Sequence, residues 1–321
     1  MQNKSLACAL LGLCLPINAI ATAPDVAVDI APLHSLVSQV MEGVKKPGLI
    51  IPAEASPHEY TLRPTQARAL SEADIVFWIG EELTPWLEKA LSNVSDSSQK
   101  VKMLELETTT KYAFREGATF EGHNHEDHSD EHEEEHHDEH HDGHADNNHE
   151  GADPHAWLDP ENAKAWVSEI KSVLSKHDPE NSGAYERNAN KAIASLDELI
   201  KATQSKVNSL GKLKFIVFHD AYQYFEQRFG ISAAGSITLG DAQAPSPARI
   251  IEIRDTVKKL GVNCAFTEPQ YNEGIVHNVF EGTSISGIGV MDPIGANIQS
   301  GSQHYSKLIQ AMVNSLGECN K

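Results

Sequence analysis

The sequence predicts an α/β protein of two similar lobes, each built on a parallel four-stranded sheet, joined by one long rigid α-helix. Three observations predict it. Short β-like runs alternate with helical patterns in both halves, as parallel sheets require. Four such runs precede and four follow a stretch of helical periodicity over 178–210. Within that stretch no glycine follows Gly183 until Gly211 stops it, and Ala189, Ala192, Ile193, Leu196, Leu199, Ile200, Val207 and Leu210 form one apolar stripe. A helix of about 30 residues is roughly 45 Å long, which suits a strut between lobes. The alternative is an ordinary long helix lying on one domain.

The chain opens on a secretory signal: Lys4, a short apolar stretch from Leu6 to Ile17, and the small-x-small site Ala19-Ile20-Ala21. We expect residues 1–21 to be removed near Ala21. The apolar run is too short to span a bilayer, and the bulky Leu13 before Cys14 argues against a lipid-modified cysteine. The remaining chain is long enough for two cores. We expect an N-terminal lobe over 22–177, the linker helix over 178–210 and a C-terminal lobe over 211–321.

In the first lobe Val26–Ile30, Gly48–Ile51, Asp74–Ile79 and Val101–Leu106 read as strands. Leu33, Leu36, Val37 and Val40 give a helix after the first, and a helix begins near Pro85 after the third. Asp159-Pro160 caps a helix whose apolar face is Trp166, Val167, Ile170, Val173 and Leu174, and Asp178-Pro179 repeats the start signal. In the second lobe Leu213–Phe218, Ile231–Ile237, Val262–Thr267 and Gly287–Met291 read as strands, with a helix over Pro247–Leu260.

The segment 117–150 breaks this pattern. It holds ten of the seventeen histidines, thirteen acids and no Lys or Arg. Its histidines are His123, His125, His128, His132, His136, His137, His140, His141, His144 and His149. Imidazole is a good ligand for zinc, copper and nickel. So many imidazoles on a segment with no core-forming residues predict weak, multiple metal binding; the alternative is a solvating acidic linker. The formal net charge is −20, but fourteen acids lie in 116–150 and leave the remainder near −6. That balance gives no reason to expect nucleic-acid binding.

Ligands of open α/β sheets gather at the carboxyl ends of the strands. His58 lies in the loop after the second strand, His155 just before the Asp159-Pro160 helix, and His219 directly after Phe215-Ile216-Val217-Phe218. Glu268 and Asp292 end two further strands. Three neutral imidazoles plus one oxygen make a tetrahedral zinc site in a cleft between the lobes. The same set with a water describes a catalytic zinc, so a zinc hydrolase is a second reading. A metal buffer or adhesin is a third. His34, His177, His277 and His304 lie in or near helical stretches and read as surface or locally bonded residues. Cys8 and Cys14 leave with the signal, and Cys264 and Cys319 remain. In an oxidising compartment this pair predicts a disulfide from the chain end to an internal strand, the alternative being two buried thiols.

The chain resembles the periplasmic zinc-binding proteins of bacterial zinc ABC importers, the ZnuA type of metal solute-binding protein. The resemblance spans essentially the whole mature chain. Pro57-His58-Glu59-Tyr60-Thr61-Leu62-Arg63-Pro64, Asp153-Pro154-His155-Ala156-Trp157-Leu158-Asp159-Pro160 and Phe218-His219-Asp220-Ala221-Tyr222 carry it. Phe266-Thr267-Glu268-Pro269-Gln270 and Met291-Asp292-Pro293-Ile294-Gly295 add to it. The resemblance implies Zn²⁺ as the transported ligand, His58, His155 and His219 as its ligands, an ABC permease as partner, a periplasmic location, a monomer, and no enzymatic activity. Some relatives carry a glutamate immediately before the first ligand; here that residue is Pro57. Water, Asp292 or a histidine of the 117–150 segment is left to complete the shell. Glu268 reads as a cleft carboxylate behind the ligands or as a structural hydrogen-bonding group.

Overall fold

The computed structural model describes residues 22–94, 97–115, 120, 151–238, 245–283, 285 and 287–319. The signal segment 1–21 and the ten histidines of 117–150 lie outside them.

The first sheet contains β1 (Val26–Val28), β2 (Gly48–Leu49), β3 (Ile75–Trp78) and β4 (Gln99–Lys102), ordered β2-β1-β3-β4. The second contains β5 (Phe215–His219), β6 (Gly235–Thr238), β7 (Cys264–Thr267) and β8 (Gly287–Val290), ordered β6-β5-β7-β8. All pairings within the two sheets are parallel, and the two orders are the same in chain sequence. Among the described residues eight helices surround them: α1 (Ala31–Val40), α2 (Pro64–Glu72), α3 (Pro85–Val94), α4 (Pro160–His177), α6 (Gln223–Phe229), α7 (Pro247–Leu260), α8 (Glu273–Phe280) and α9 (His304–Glu318). The longest helix among the described residues is α5 (Ser182–Ser209).

Most strands are shorter than the apolar runs that predict them, because apolar residues continue into the buried turns beyond each strand. Val26–Ile30 is buried throughout, yet pairing as a strand ends at Val28. The fourth strand is displaced: it starts at Gln99 and ends at Lys102, so Met103 and Leu104 are buried after the strand rather than in it. Asp159 caps α4 as its sequence predicts, its Oδ1 accepting from the Glu161 amide at 2.9 Å. Asp178 does not repeat this. A 3-10 turn, Pro179–Asn181, precedes α5, and the Asp178 carboxylate instead accepts from Asn181 Nδ2 and the Tyr185 hydroxyl.

At 28 residues α5 is about 42 Å long. It touches both lobes. Asn188 Nδ2 donates to the carbonyls of Val40 and Glu42 in the first, and Gln204 Nε2 donates to the Phe229 carbonyl in the second. Alternation along the second sheet divides its side chains between two cores. Phe215, Val217, Cys264 and Phe266 face a large core continuous with that of the first lobe. Ile216, Phe218 and Ala265 face a smaller one with Ile253 and Val257 of α7 and Val276 of α8.

The last helix returns to the first lobe. Helix α9 packs on α1 and α5, the Tyr305 amide donates to Ser35 Oγ, and the Tyr305 hydroxyl donates to the Trp157 carbonyl. Cys319 at its end is disulfide-bonded to Cys264 on β7. Among the histidines assigned to helices, His304 is fully buried and bonded to the Ile294 carbonyl, and His34 to that of Pro47. His177 meets Gln99, and His277 is exposed.

Candidate metal centre

The loop after β2, the turn before α4 and the end of β5 bring His58, His155 and His219 together. One nitrogen from each lies within 4.8 Å of the other two. Among the described residues no other group of three or more His, Cys, Asp or Glu meets that criterion.

Each imidazole is placed differently. His58 follows β2 on a loop held by α3, where Trp86 Nε1 donates to the Pro57 carbonyl at 2.8 Å. His155 begins a 3-10 turn, Ala156–Leu158, and is held by its own neighbourhood. Asp153 Oδ1 accepts both the His155 amide at 3.0 Å and its Nδ1 at 2.7 Å. His219 is the last residue of β5. Its Nδ1 donates to Glu268 Oε1 at 2.7 Å, and Glu268 follows β7 directly. The β5–β7 register pairs Phe215 with Cys264 and Ile216 with Ala265, and the same offset sets His219 level with Glu268. The Tyr222 hydroxyl lies 3.0 Å from the same Glu268 oxygen and 2.9 Å from the Met291 carbonyl.

The carboxylates fix the chemistry of the rings. A carboxylate at Nδ1 places the proton there and leaves the Nε2 lone pair free. The Nε2 atoms of His155 and His219 are 3.4 Å apart. In these tautomers neither donates to the other, so two lone pairs face each other across a space that suits a cation. Burial and the neighbouring imidazoles hold His58 well below the usual histidine pKa. Burial, with His219 and then the Arg115 charge adding to it, does the same for His155. Burial also pushes the Asp153 carboxyl up to about 7, against the lowering effects of the His155 amide and Arg115. Two of the three rings are thus kept neutral, the form that binds metal.

Asp292 is placed elsewhere. Its carboxylate accepts from the amides of Ile294, Gly295 and Ala296 and from Gln270 Nε2, closing the turn after β8. It is not one of the residues lining the cavity at the histidines, which include Ser56, Trp157, Glu268, Gln270 and Ile294. Glu268 stands behind His219. Sequence reasoning missed Asp153 and Tyr222 as supports. The Asp-Pro-His spacing was the available signal for the first; the second depends on sheet pairing. The cavity at the three rings is small, about 10 Å³.

A family model described as zinc-uptake complex component A, periplasmic (ZnuA), matches residues 26–319. The chain belongs to the ZnuA family. Its members are periplasmic binding components of zinc uptake, not enzymes. The high-affinity zinc uptake system protein ZnuA of Brucella abortus is 42% identical over 304 residues, covering 92% of this chain and 91% of that protein. The fold is that of a ZnuA crystal structure, with a TM-score of 0.72 at 23% identity, covering 93% of this chain and all of that one. A ZnuA deletion mutant solved with zinc bound is similar to the same degree, with a TM-score of 0.72 at 23% identity over 93% of this chain and 98% of that one.

Proposed function

We propose that His58, His155 and His219 hold one Zn²⁺ between the two lobes, and that the chain captures this ion in the periplasm and passes it to an ABC-type permease in the inner membrane. The observation that carries the reading is the His155–His219 separation. Zinc–nitrogen bonds of about 2.0–2.1 Å in a tetrahedron set ligand nitrogens about 3.3–3.4 Å apart, and the two Nε2 atoms lie at 3.4 Å. The carboxylates at Nδ1 support it further, since such partners orient ligand histidines and raise their basicity.

In this reading residues 1–21 are removed on export and the mature protein acts as a monomer. The 22–177 and 211–321 lobes close over the ion, with 178–210 as their strut. The histidines of 117–150 add weaker zinc sites that collect or sense the ion. The test is a zinc titration of the mature chain beside a variant lacking 117–150. One tight site should survive the deletion while total stoichiometry falls. Loss of the tight site with the segment would refute this division. A strain lacking the protein should grow poorly under zinc chelation and recover with zinc but not manganese. Recovery with manganese alone would refute the zinc role.

A further inference from the structure

Four buried side-chain oxygens among the described residues have neither a hydrogen-bond nor an ion-pair partner: Glu82 Oε2, Asp178 Oδ1, Thr267 Oγ1 and Gln270 Oε1. Only Gln270 lines the cavity at the three histidines. Its orientation is not arbitrary. Nε2 donates to Asp292 Oδ1 at 3.1 Å, and Asp292 is itself fixed by three backbone amides. Because Asp292 offers only acceptors, the amide nitrogen must face it, and the oxygen is left on the other side. An unpartnered buried carbonyl of this kind costs on the order of 1–3 kcal/mol, so one fixed at a binding cavity points to a guest that donates to it.

Three imidazoles leave zinc one open position in a tetrahedron. A water there carries two protons made acidic by the metal, and in a buried cavity they require acceptors. Resting on the three-histidine reading above, we propose that Gln270 Oε1 accepts a hydrogen bond from a water that is the fourth ligand of the bound zinc. A neutral amide suits this task. It holds the water without adding a fixed negative charge, so the ion stays on neutral donors and remains releasable. The turn closed by Asp292 then serves the site by aiming Gln270 rather than by touching metal.

The test is zinc affinity, by competition with a chromogenic chelator, in Gln270→Leu and Gln270→Glu. Loss of a partner behind a metal ligand typically weakens affinity about 10–100-fold, and the leucine variant should show that loss. The glutamate variant keeps an oxygen acceptor but cannot donate to Asp292, so it should lose affinity too, by clearly less than the leucine variant. If both variants lose affinity alike, Gln270 acts only through its contact with Asp292 and the proposal falls; it falls equally if neither loses any. A crystal structure of the zinc-loaded wild-type chain decides independently of how the variants fold. It should show a zinc-bound water within hydrogen-bond distance of Gln270 Oε1. A protein atom in the fourth position, including Gln270 itself, would overturn the proposal. His155→Ala run alongside separates the two readings: if it abolishes tight binding while Gln270→Leu does not, the three-histidine site stands and Gln270 does not.

Discussion

His155 and His219 present the same atom to the same point, but they are built in opposite ways. His155 is set within three residues of chain, where one oxygen of Asp153 holds both its amide and its ring. His219 is set by the sheet, since Glu268 reaches it only because β5 and β7 pair at one offset. A turn fixes one ligand and a register fixes the other. The site thus draws one half from local sequence and the other half from a core that must already be folded.

The largest effects come from removing the rings themselves. His155→Ala and His219→Ala should each weaken tight zinc binding by more than about 100-fold, beyond the 10–100-fold span usual for an outer partner. Calorimetry reads this directly, and wild-type affinity in either variant would break the ligand assignment. Next are the carboxylates. Asp153→Asn and Glu268→Gln should each cost about 10–100-fold. Glu268→Asp should lose nearly as much as Glu268→Gln, because the register fixes the backbone spacing and a shorter side chain does not span it. Full affinity in Glu268→Asp would show that the register does not set this ligand.

Acid should act more gently. Three imidazoles with the ordinary pKa of about 6.5 would lose about 30-fold in zinc affinity from pH 7 to pH 6. With His58 and His155 held lower by burial, the loss should be clearly smaller. In the metal-free chain these two rings stay neutral when folded and take up protons when unfolded. The stability they contribute is therefore present above the unfolded value of about 6.5 and lost as pH falls below it. Competition titrations at the two pH values check the binding, and a full 30-fold loss would count against the depressed values.

The smallest effect on zinc belongs to the disulfide. Cys264→Ser with Cys319→Ser opens a closure of 55 residues, which the chain-entropy model values at roughly 4 kcal/mol of stability. Urea unfolding should show that loss, while zinc affinity changes by no more than a few-fold in the protein that remains folded. A large fall in affinity would mean that the His219–Glu268 register depends on the bond at the start of β7.

What was legible in the sequence follows the same division. The Asp159 cap, a strand running up to His219 and the long helix all follow from neighbouring residues; the structure has each, with the strand extended by one residue to His219 itself. Glu268 reads as a carboxylate behind the ligands or a structural hydrogen-bonding group, but that it meets His219 was not legible, because the contact exists only through pairing across 49 positions. Asp292 looked like a metal carboxylate at a strand end. Its oxygens face three amides of its own turn, a choice between two acidic roles that composition does not separate. Nor did periodicity reveal that α9 crosses to the first lobe, since an amphipathic helix does not name the surface it covers.

That crossing bears on the order of assembly. A chain made from its amino end has α1 long before it has α9, yet Leu308, Ile309 and Met312 of α9 belong to the same continuous core as Leu33, Leu36 and Val37 of α1. The earliest helix therefore waits, with part of its apolar face uncovered, until nearly the whole chain has emerged. The first lobe is first in sequence and among the last parts of the molecule to be finished.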